Sequence, residues 1–466
     1  MKKQKHVHLL GIGGSAMSNV ALMFHSCGWE VTGTDQNVYP PASTSLEKNG
    51  IGYYQGYKKE HVHAGIDLVI VGNVISRDNV EAQKCMELDL PYLSMPQALF
   101  DHFMKDKARI AICGTHGKTT TTSLLSWILD CSKNDPSFFI GGVPVNYQRG
   151  YHIGKGAHFV IEGDEYDTAY FEKTPKFLHY HPQHVILTSI EFDHADIYRD
   201  FDHVYEQFDL LVKQIPQDGS LVACFEHASV KKVSENFPHT VSYAHQDADW
   251  TLKNQQDEPY GQSFDVFKYN VYKGRVKTEL LGPHSRLNIL ACLAQAEIQG
   301  VDVDKAIAAI ETFQGVKKRQ ELKGEKGNIA VYEDFAHHPT AIATTLSGFV
   351  PLKQRRKGKL IVAIEPRSNT MRRKIFQDQL PQSFDQADVI FIANVFAKKD
   401  ALSQDQMLRP QDIVTSLEKR GKKAFAPHDL DELLRDICQM AKPNDVVVFM
   451  SNGDFQGASS KLLDLL

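Results

Sequence analysis

One stretch limits the fold of this chain more than any other. Arg109–Cys113 is a short apolar run that passes directly into Gly114-Thr115-His116-Gly117-Lys118-Thr119-Thr120, and then into an apolar helical pattern ending at Cys131. Strand, glycine-rich turn and helix in that order belong to α/β folds with a parallel sheet. The turn leaves backbone N–H groups free for phosphate oxygens, and the helix start adds partial positive charge. In such a loop Lys118 would reach β- and γ-phosphates, and the Thr119 hydroxyl would sit on Mg2+. The full phosphate-loop pattern asks for glycine five residues before Gly117, where this chain has Ile112. The competing reading is a chance Gly-Lys-Thr at a helix start; a strand before and a helix after weigh against it.

The same grammar occurs twice more. At the N-terminus a strand at His6–Leu10 runs into Gly11-Ile12-Gly13-Gly14-Ser15-Ala16-Met17, then a helix with apolar Met17, Val20, Ala21 and Phe24, ended by Gly28. Trp29–Gly33 is the next strand, closing with Asp35. Gly11-x-Gly13-x-x-Ala16 nearly matches a dinucleotide fingerprint, with Asp35 able to take a hydroxyl pair. NAD, FAD and nucleotide-sugar diphosphates all fit it, as does a tight turn with no ligand. Asp67–Val71 is another strand, and Asp101–Lys107 reads as a linker.

The middle of the chain has strands at His158–Ile161 and Val185–Thr188, a strand-rich stretch from Ser220 to Leu281, and helices at Leu287–Gln299 and Asp304–Thr312. A third cycle opens near Gly315. Its strands are Ile329–Glu333, Leu360–Ile364, Val389–Ala393 and Val446–Met450, with helices near Thr340–Phe349, Met371–Leu380 and Leu430–Met440. At roughly 150 residues per domain, 466 residues predict three domains. The expected limits are 1–106, 107–313 and 314–466.

Composition narrows the function classes. Lys plus Arg number 52 against 57 Asp plus Glu, a net charge of −5, so the broad basic field of a nucleic-acid binder is absent. The seven cysteines include no CxxC pair, which fits reduced thiols in the cytoplasm. No run approaches the ~18 apolar residues of a membrane span, and Val7–Leu10 is too short for a signal peptide core. A soluble cytoplasmic protein is expected.

Four further clusters follow strands. Glu162-Gly163-Asp164-Glu165-Tyr166-Asp167 and Ile190-Glu191-Phe192-Asp193-His194-Ala195-Asp196 offer carboxylates and a histidine suited to Mg2+ on ATP phosphates. Each alone could be a solvated loop; their shared position at strand ends lifts them. Glu333-Asp334-Phe335-Ala336-His337-His338-Pro339 carries a histidine pair. Glu365-Pro366-Arg367-Ser368-Asn369-Thr370-Met371-Arg372-Arg373 suits carboxylate or phosphate.

These six elements, in this order and over essentially the whole chain, resemble the Mur ligase family, ATP-dependent enzymes that form peptide bonds in peptidoglycan assembly. That family's phosphate loop is the shortened GTxGKT form, which Gly114–Thr119 matches. The resemblance implies an α/β, three-domain architecture. A Rossmann-like UDP-binding domain comes first, then a P-loop ATPase-like central domain. A Rossmann-like C-terminal domain binds the peptide acceptor and closes on ATP. It further implies that Gly11, Gly13, Gly14, Ser15, Ala16, Met17, Asp35, Asn73 and Ser76 bind the UDP-sugar. Gly114, Thr115, His116, Gly117, Lys118, Thr119, Thr120, His284, Asn288, Arg319 and Asp334 would bind ATP. Thr119, Glu162 and His194 would hold Mg2+, with two ions expected. Lys118, Glu162, His194, His337 and His338 would serve catalysis, and Arg367, Asn369 and Arg372 the peptide.

Within the family the likeness is to the branch that uses UDP-N-acetylmuramate, and there to members that attach the tripeptide L-Ala-γ-D-Glu-meso-diaminopimelate in cell-wall recycling. The alternative is the sister activity that adds L-alanine. A dinucleotide-dependent oxidoreductase would leave the phosphate loop, the acidic clusters and the third domain without a role; a nucleotide-binding regulator without chemistry is the other alternative, separated by substrate-dependent ADP release. A monomer is expected, acting on small molecules and without nucleic-acid or membrane partners. The chain departs from the family pattern at Ser189 and Ser285, each where asparagine is usual, and at Gly163, where alanine is common. Asp209 stands where several sister ligases carry a carboxylated lysine, so no such lysine is expected.

Overall fold

The computed structural model describes residues 4–258, 261–396 and 402–466. Their contacts fall into two compact units. The first comprises the chain up to Glu191 with Asp202–Tyr243 and Ala291–Ala309; the second comprises Phe192–Phe201, Ala244–Leu290 and Ile310–Leu466.

The first unit begins with a five-stranded parallel sheet in the order Gly52–Gln55, Glu30–Asp35, His6–Leu10, Leu68–Val71, Tyr92–Ser94. The chain reverses its winding between His6–Leu10 and Leu68–Val71. In open α/β sheets that switch point, at the strand C-termini, is where ligands settle. Ser15–Ser26 follows the first strand as a helix and buries Met17, Val20, Ala21 and Phe24, the apolar stripe visible in the sequence.

Ala108–Cys113 is the central strand of the second sheet. It is flanked by the parallel strands His158–Gly163 and His184–Leu187, and beyond the latter by Ser220–Cys224 and Thr240–Tyr243. Ile110 to Cys113 are fully buried, as a strand covered on both faces requires. The helix Lys118–Cys131 springs from the end of this strand.

In the second unit Trp250–Glu258, Gly261–Lys268 and Val271–Thr278 form an antiparallel meander. A second sheet runs in the order Glu321–Lys326, Ile329–Asp334, Val446–Met450, Leu360–Ile364, Val389–Ile392, Lys423–Phe425, parallel except at its first strand. Apolar clusters cover both faces.

Three expectations are corrected. Asp101–Lys107 is not a plain linker, because Phe100–Met104 continues the preceding helix as a wide turn with Met104 buried. Met371–Leu380 is not an α-helix: only the short turns Lys374–Phe376 and Leu380–Phe384 form there, the latter opened by Pro381. Within Ser220–Leu281, Ala228–Ser234 is helical.

Candidate active site

The first glycine turn builds a cavity. Gly11 takes φ +87°, a region open to glycine, and its N–H donates to Thr34 O at 2.7 Å. Gly13 N–H donates to Asp35 Oδ2 at 2.9 Å, so Asp35 clamps the turn as well as facing the cavity. The helix that follows is capped by Gly14 with no side-chain cap, leaving its first N–H groups for a ligand. The cavity measures about 430 Å³ and is lined by Gly11, Gly13 to Met17, Asp35 and Asn73, all expected there. Ser76 is exposed and is not in the lining. Thr168 and Lys176 line it too, unanticipated because they come from the hairpin Asp167–Pro175 and the short turn after it, far in sequence from Gly72–Val74. Asn73 Nδ2 donates to Asp167 Oδ1 at 2.6 Å, which ties that hairpin to the cavity wall.

The second glycine turn is held from below. Thr115 N–H donates to Ser189 O at 3.0 Å, His116 N–H to Ser189 Oγ at 3.0 Å, and the Thr188 hydroxyl to His116 O at 2.6 Å. Ser189, which departs from the family pattern, thus supports the loop with both backbone and hydroxyl. Gly114 has φ +128° and lies against Thr188 and Ser189, where a Cβ would overlap them. Gly117 caps the helix in the left-handed conformation. Gly163 pairs with Cys113 across the two central strands, and a Cβ on Gly163 would overlap the Cys113 thiol; glycine here matches its neighbour's bulk.

Lys118 Nζ donates to Gly114 O at 2.6 Å and to the Glu165 carboxylate at 2.8 and 3.1 Å. Burial works against its charge, but Glu165, Asp164 and Glu162 outweigh burial and raise its pKa. Thr119 Oγ1 donates to Glu162 Oε1 at 2.7 Å, and Gly141 N–H donates to Glu162 Oε2 at 2.8 Å. A hydroxyl and a carboxylate brought together in this way are hard oxygen donors, the set Mg2+ prefers. His116 Nε2 lies 3.4 Å from Glu191 Oε2. Thr120 is half-buried one residue further along the helix.

The second unit gathers the histidines. Asp193 Oδ1 accepts the His194 N–H at 2.7 Å, and His194 takes φ +55°. Burial alone would raise the Asp193 carboxyl. His194, His337 and His338, with the His194 N–H, outweigh it and hold it at about 2. Burial lowers the pKa of His337, whose Nδ1 lies 2.8 Å from Phe335 O. His338 caps the helix Pro339–Arg356, and its Nδ1 accepts the Thr340 N–H at 3.3 Å. The Asp334 carboxylate accepts from the N–H groups of Gln320 and Ala336, each at 2.8 Å. Burial raises its pKa, with Arg319 opposing. Arg319 lies over the Phe335 ring at 4.3 Å.

Asn369 Nδ2 donates to Asp196 Oδ2 at 2.9 Å, which joins the peptide candidate to the His194 turn. Arg367 stacks on Phe396 at 3.8 Å with Glu365 3.6 Å from its Nη1, whereas Arg372 is 2% exposed. At the start of the helix Pro283–Ile298, Asn288 is buried and His284 half-buried. The Ser285 hydroxyl donates back to Leu281 O at 2.8 Å, steadying the helix entry.

Three family models match in succession. They are the Mur ligase family, catalytic domain, over residues 6–107; the Mur ligase middle domain over 112–296; and the Mur ligase, glutamate ligase domain, over 318–453. The chain belongs to the Mur ligase family. Two relatives named UDP-N-acetylmuramate–L-alanyl-γ-D-glutamyl-meso-2,6-diaminoheptandioate ligase match over nearly their full length. The one from Haemophilus influenzae is 36% identical, covering 99% of each chain. The one from Escherichia coli is 37% identical, covering 98% of this chain and 97% of its own. The crystal structure of a murein peptide ligase from Psychrobacter arcticus is 34% identical, with a TM-score of 0.73 over 99% of this chain and 98% of that one. Like its relatives this Mur ligase has the three-domain α/β architecture that the resemblance implied. At position 209 it carries an aspartate engaged by Lys213 Nζ at 2.6 Å and Asn236 Nδ2 at 2.7 Å.

Proposed function

We propose that this Mur ligase uses ATP to join the lactyl carboxylate of UDP-N-acetylmuramate to the amino terminus of L-Ala-γ-D-Glu-meso-diaminopimelate, in peptidoglycan recycling in the cytoplasm. The observation that carries the reading is the 36% and 37% identity, over nearly whole chains, to two ligases named for that substrate pair. Residues 1–106 are assigned to the UDP-sugar, 107–313 to ATP and 314–466 to the acceptor, in a chain acting as a monomer.

A carboxylate does not react with an amine at neutral pH. ATP supplies the activation: a carboxylate oxygen attacks the γ-phosphorus, ADP leaves, the peptide amine attacks the acyl carbon, and phosphate departs. The first step brings a carboxylate onto a phosphate and the second expels phosphate, so the protein's task is to position and neutralise. The Gly11–Met17 turn and the uncapped helix start suit a diphosphate. Lys118 and the N–H groups of the Gly114–Thr119 loop are assigned to the β- and γ-phosphates, and Thr120, His284, Asn288, Arg319 and Asp334 to the rest of the nucleotide. Mg2+ on Thr119 and Glu162, with a second ion at His194, would add charge neutralisation on the transferring phosphate. His337, His338, Arg367, Asn369 and Arg372 are assigned to the incoming peptide, whose several carboxylates suit arginine.

The test is ADP release with ATP, Mg2+ and UDP-N-acetylmuramate, comparing L-alanine with the tripeptide as acceptor. Turnover with the tripeptide alone is expected. Turnover with L-alanine alone would move the chain to the L-alanine-adding activity and void the peptide assignments.

A further inference from the structure

The Lys118 ammonium is engaged on several sides by oxygens of the protein. Gly114 O, Thr115 O and both oxygens of Glu165 surround it at 2.6 to 3.3 Å. The Lys118 and Glu165 side chains are 13% and 4% exposed, so water screens the pair little. A phosphate oxygen can take Lys118 only when Glu165 yields it.

Glu165 belongs to a short segment whose other residues reach the sugar-nucleotide cavity. Its neighbour Asp164 holds Lys176 Nζ at 2.5 Å, and Lys176 lines the cavity. Asp167 accepts from Asn73 at 2.6 Å and from Lys173 at 2.6 Å; Asn73 and Thr168 line the cavity as well. All of these residues lie in the first unit. An anionic diphosphate in the cavity would compete with Asp164 for Lys176, and Asp164 is the residue next to Glu165 in the chain.

We infer that Glu165 is a positioning residue that keeps Lys118 in reserve and ties its release to occupancy of the sugar-nucleotide cavity. The inference rests on the assignment of ATP to the Gly114–Thr119 loop and of the UDP-sugar to the cavity. Apparent affinity falls by the fraction of protein that is competent to bind, so a lysine held back about nine-tenths of the time weakens nucleotide binding about tenfold.

The experiment is ADP titration by calorimetry on the full chain, in EDTA and again in Mg2+, with and without UDP-N-acetylmuramate, for the wild type, Glu165→Gln and Glu165→Asp. Without the sugar nucleotide, Glu165→Gln is expected to bind ADP several-fold more tightly than wild type in both buffers, with Glu165→Asp between them. UDP-N-acetylmuramate is expected to tighten ADP binding to wild type and to have little effect on Glu165→Gln. Unchanged or weaker ADP binding by folded Glu165→Gln overturns the inference, as does an equal effect of the sugar nucleotide on both proteins. Weakening confined to Mg2+ buffer would make Glu165 a metal ligand instead. Failure of the wild type itself to bind ADP would overturn the ATP assignment, and this inference with it.

Discussion

Lys118 is held by two backbone carbonyls and a carboxylate, and no neighbour in the loop replaces its charge. Lys118→Ala is therefore expected to lose ligase turnover by a hundredfold or more on the scale of charge-stabilising groups, roughly 3 kcal/mol, while circular dichroism stays native. Near-normal turnover in that variant would remove the lysine from the chemistry. Asp193 carries a pH dependence. Its folded pKa of about 2 lies below its ordinary value of 3.8. The stability it contributes is thus present above about pH 4 and is lost as pH falls through about 2. Asp193→Asn should cost about 2 kcal/mol in urea unfolding at pH 7, and markedly less near pH 3; equal costs at both would refute the account. At this scale the loop residues were legible because glycine, lysine and threonine stand consecutively. Glu165 and Ser189 stood out in the sequence, as one acid of a cluster and as a departure from the family pattern, but their contacts with Lys118 and His116 did not, since these join stretches far apart in the chain and no local pattern records that.

Among the elements, the glycine loop depends on the strand beside it. Ser189→Ala removes the hydroxyl that receives the His116 N–H, and should raise the KM for ATP several-fold with less effect on that for UDP-N-acetylmuramate. Steady-state kinetics with each substrate varied would show an equal rise in both if the loop did not depend on Ser189. The strands His6–Leu10, Leu360–Ile364 and Val446–Met450 and the helix Leu430–Met440 have the limits that their sequence predicts. All three strands are buried on both faces, Leu360–Ile364 and Val446–Met450 as unbroken apolar runs and His6–Leu10 with two buried histidines among its apolar residues, and that helix is strongly amphipathic with Asp429 capping it. Met371–Leu380 misled because its apolar spacing mimics a helix, whereas Arg373 bridges to Met407 and Leu408 N–H bonds to Arg372 O, drawing the backbone into another pairing. Ala228–Ser234 was hidden by the β-branched and aromatic residues around it, whose preference tertiary packing overrode.

Across the whole molecule the order of the motifs was readable because each sits at the end of a buried strand. Which stretches share a core was not, since contacts distant in sequence decide that. A ligand that binds only the folded chain stabilises it: UDP-N-acetylmuramate at a hundredfold excess over its Kd should add about 2.7 kcal/mol. A thermal midpoint unmoved by that concentration would argue against the cavity as its site. The chain changes units after Glu191, Phe201, Tyr243, Leu290 and Ala309. Emerging from a ribosome, neither unit is whole when its first part appears: the first waits for residue 309 and the second for the last residues of all.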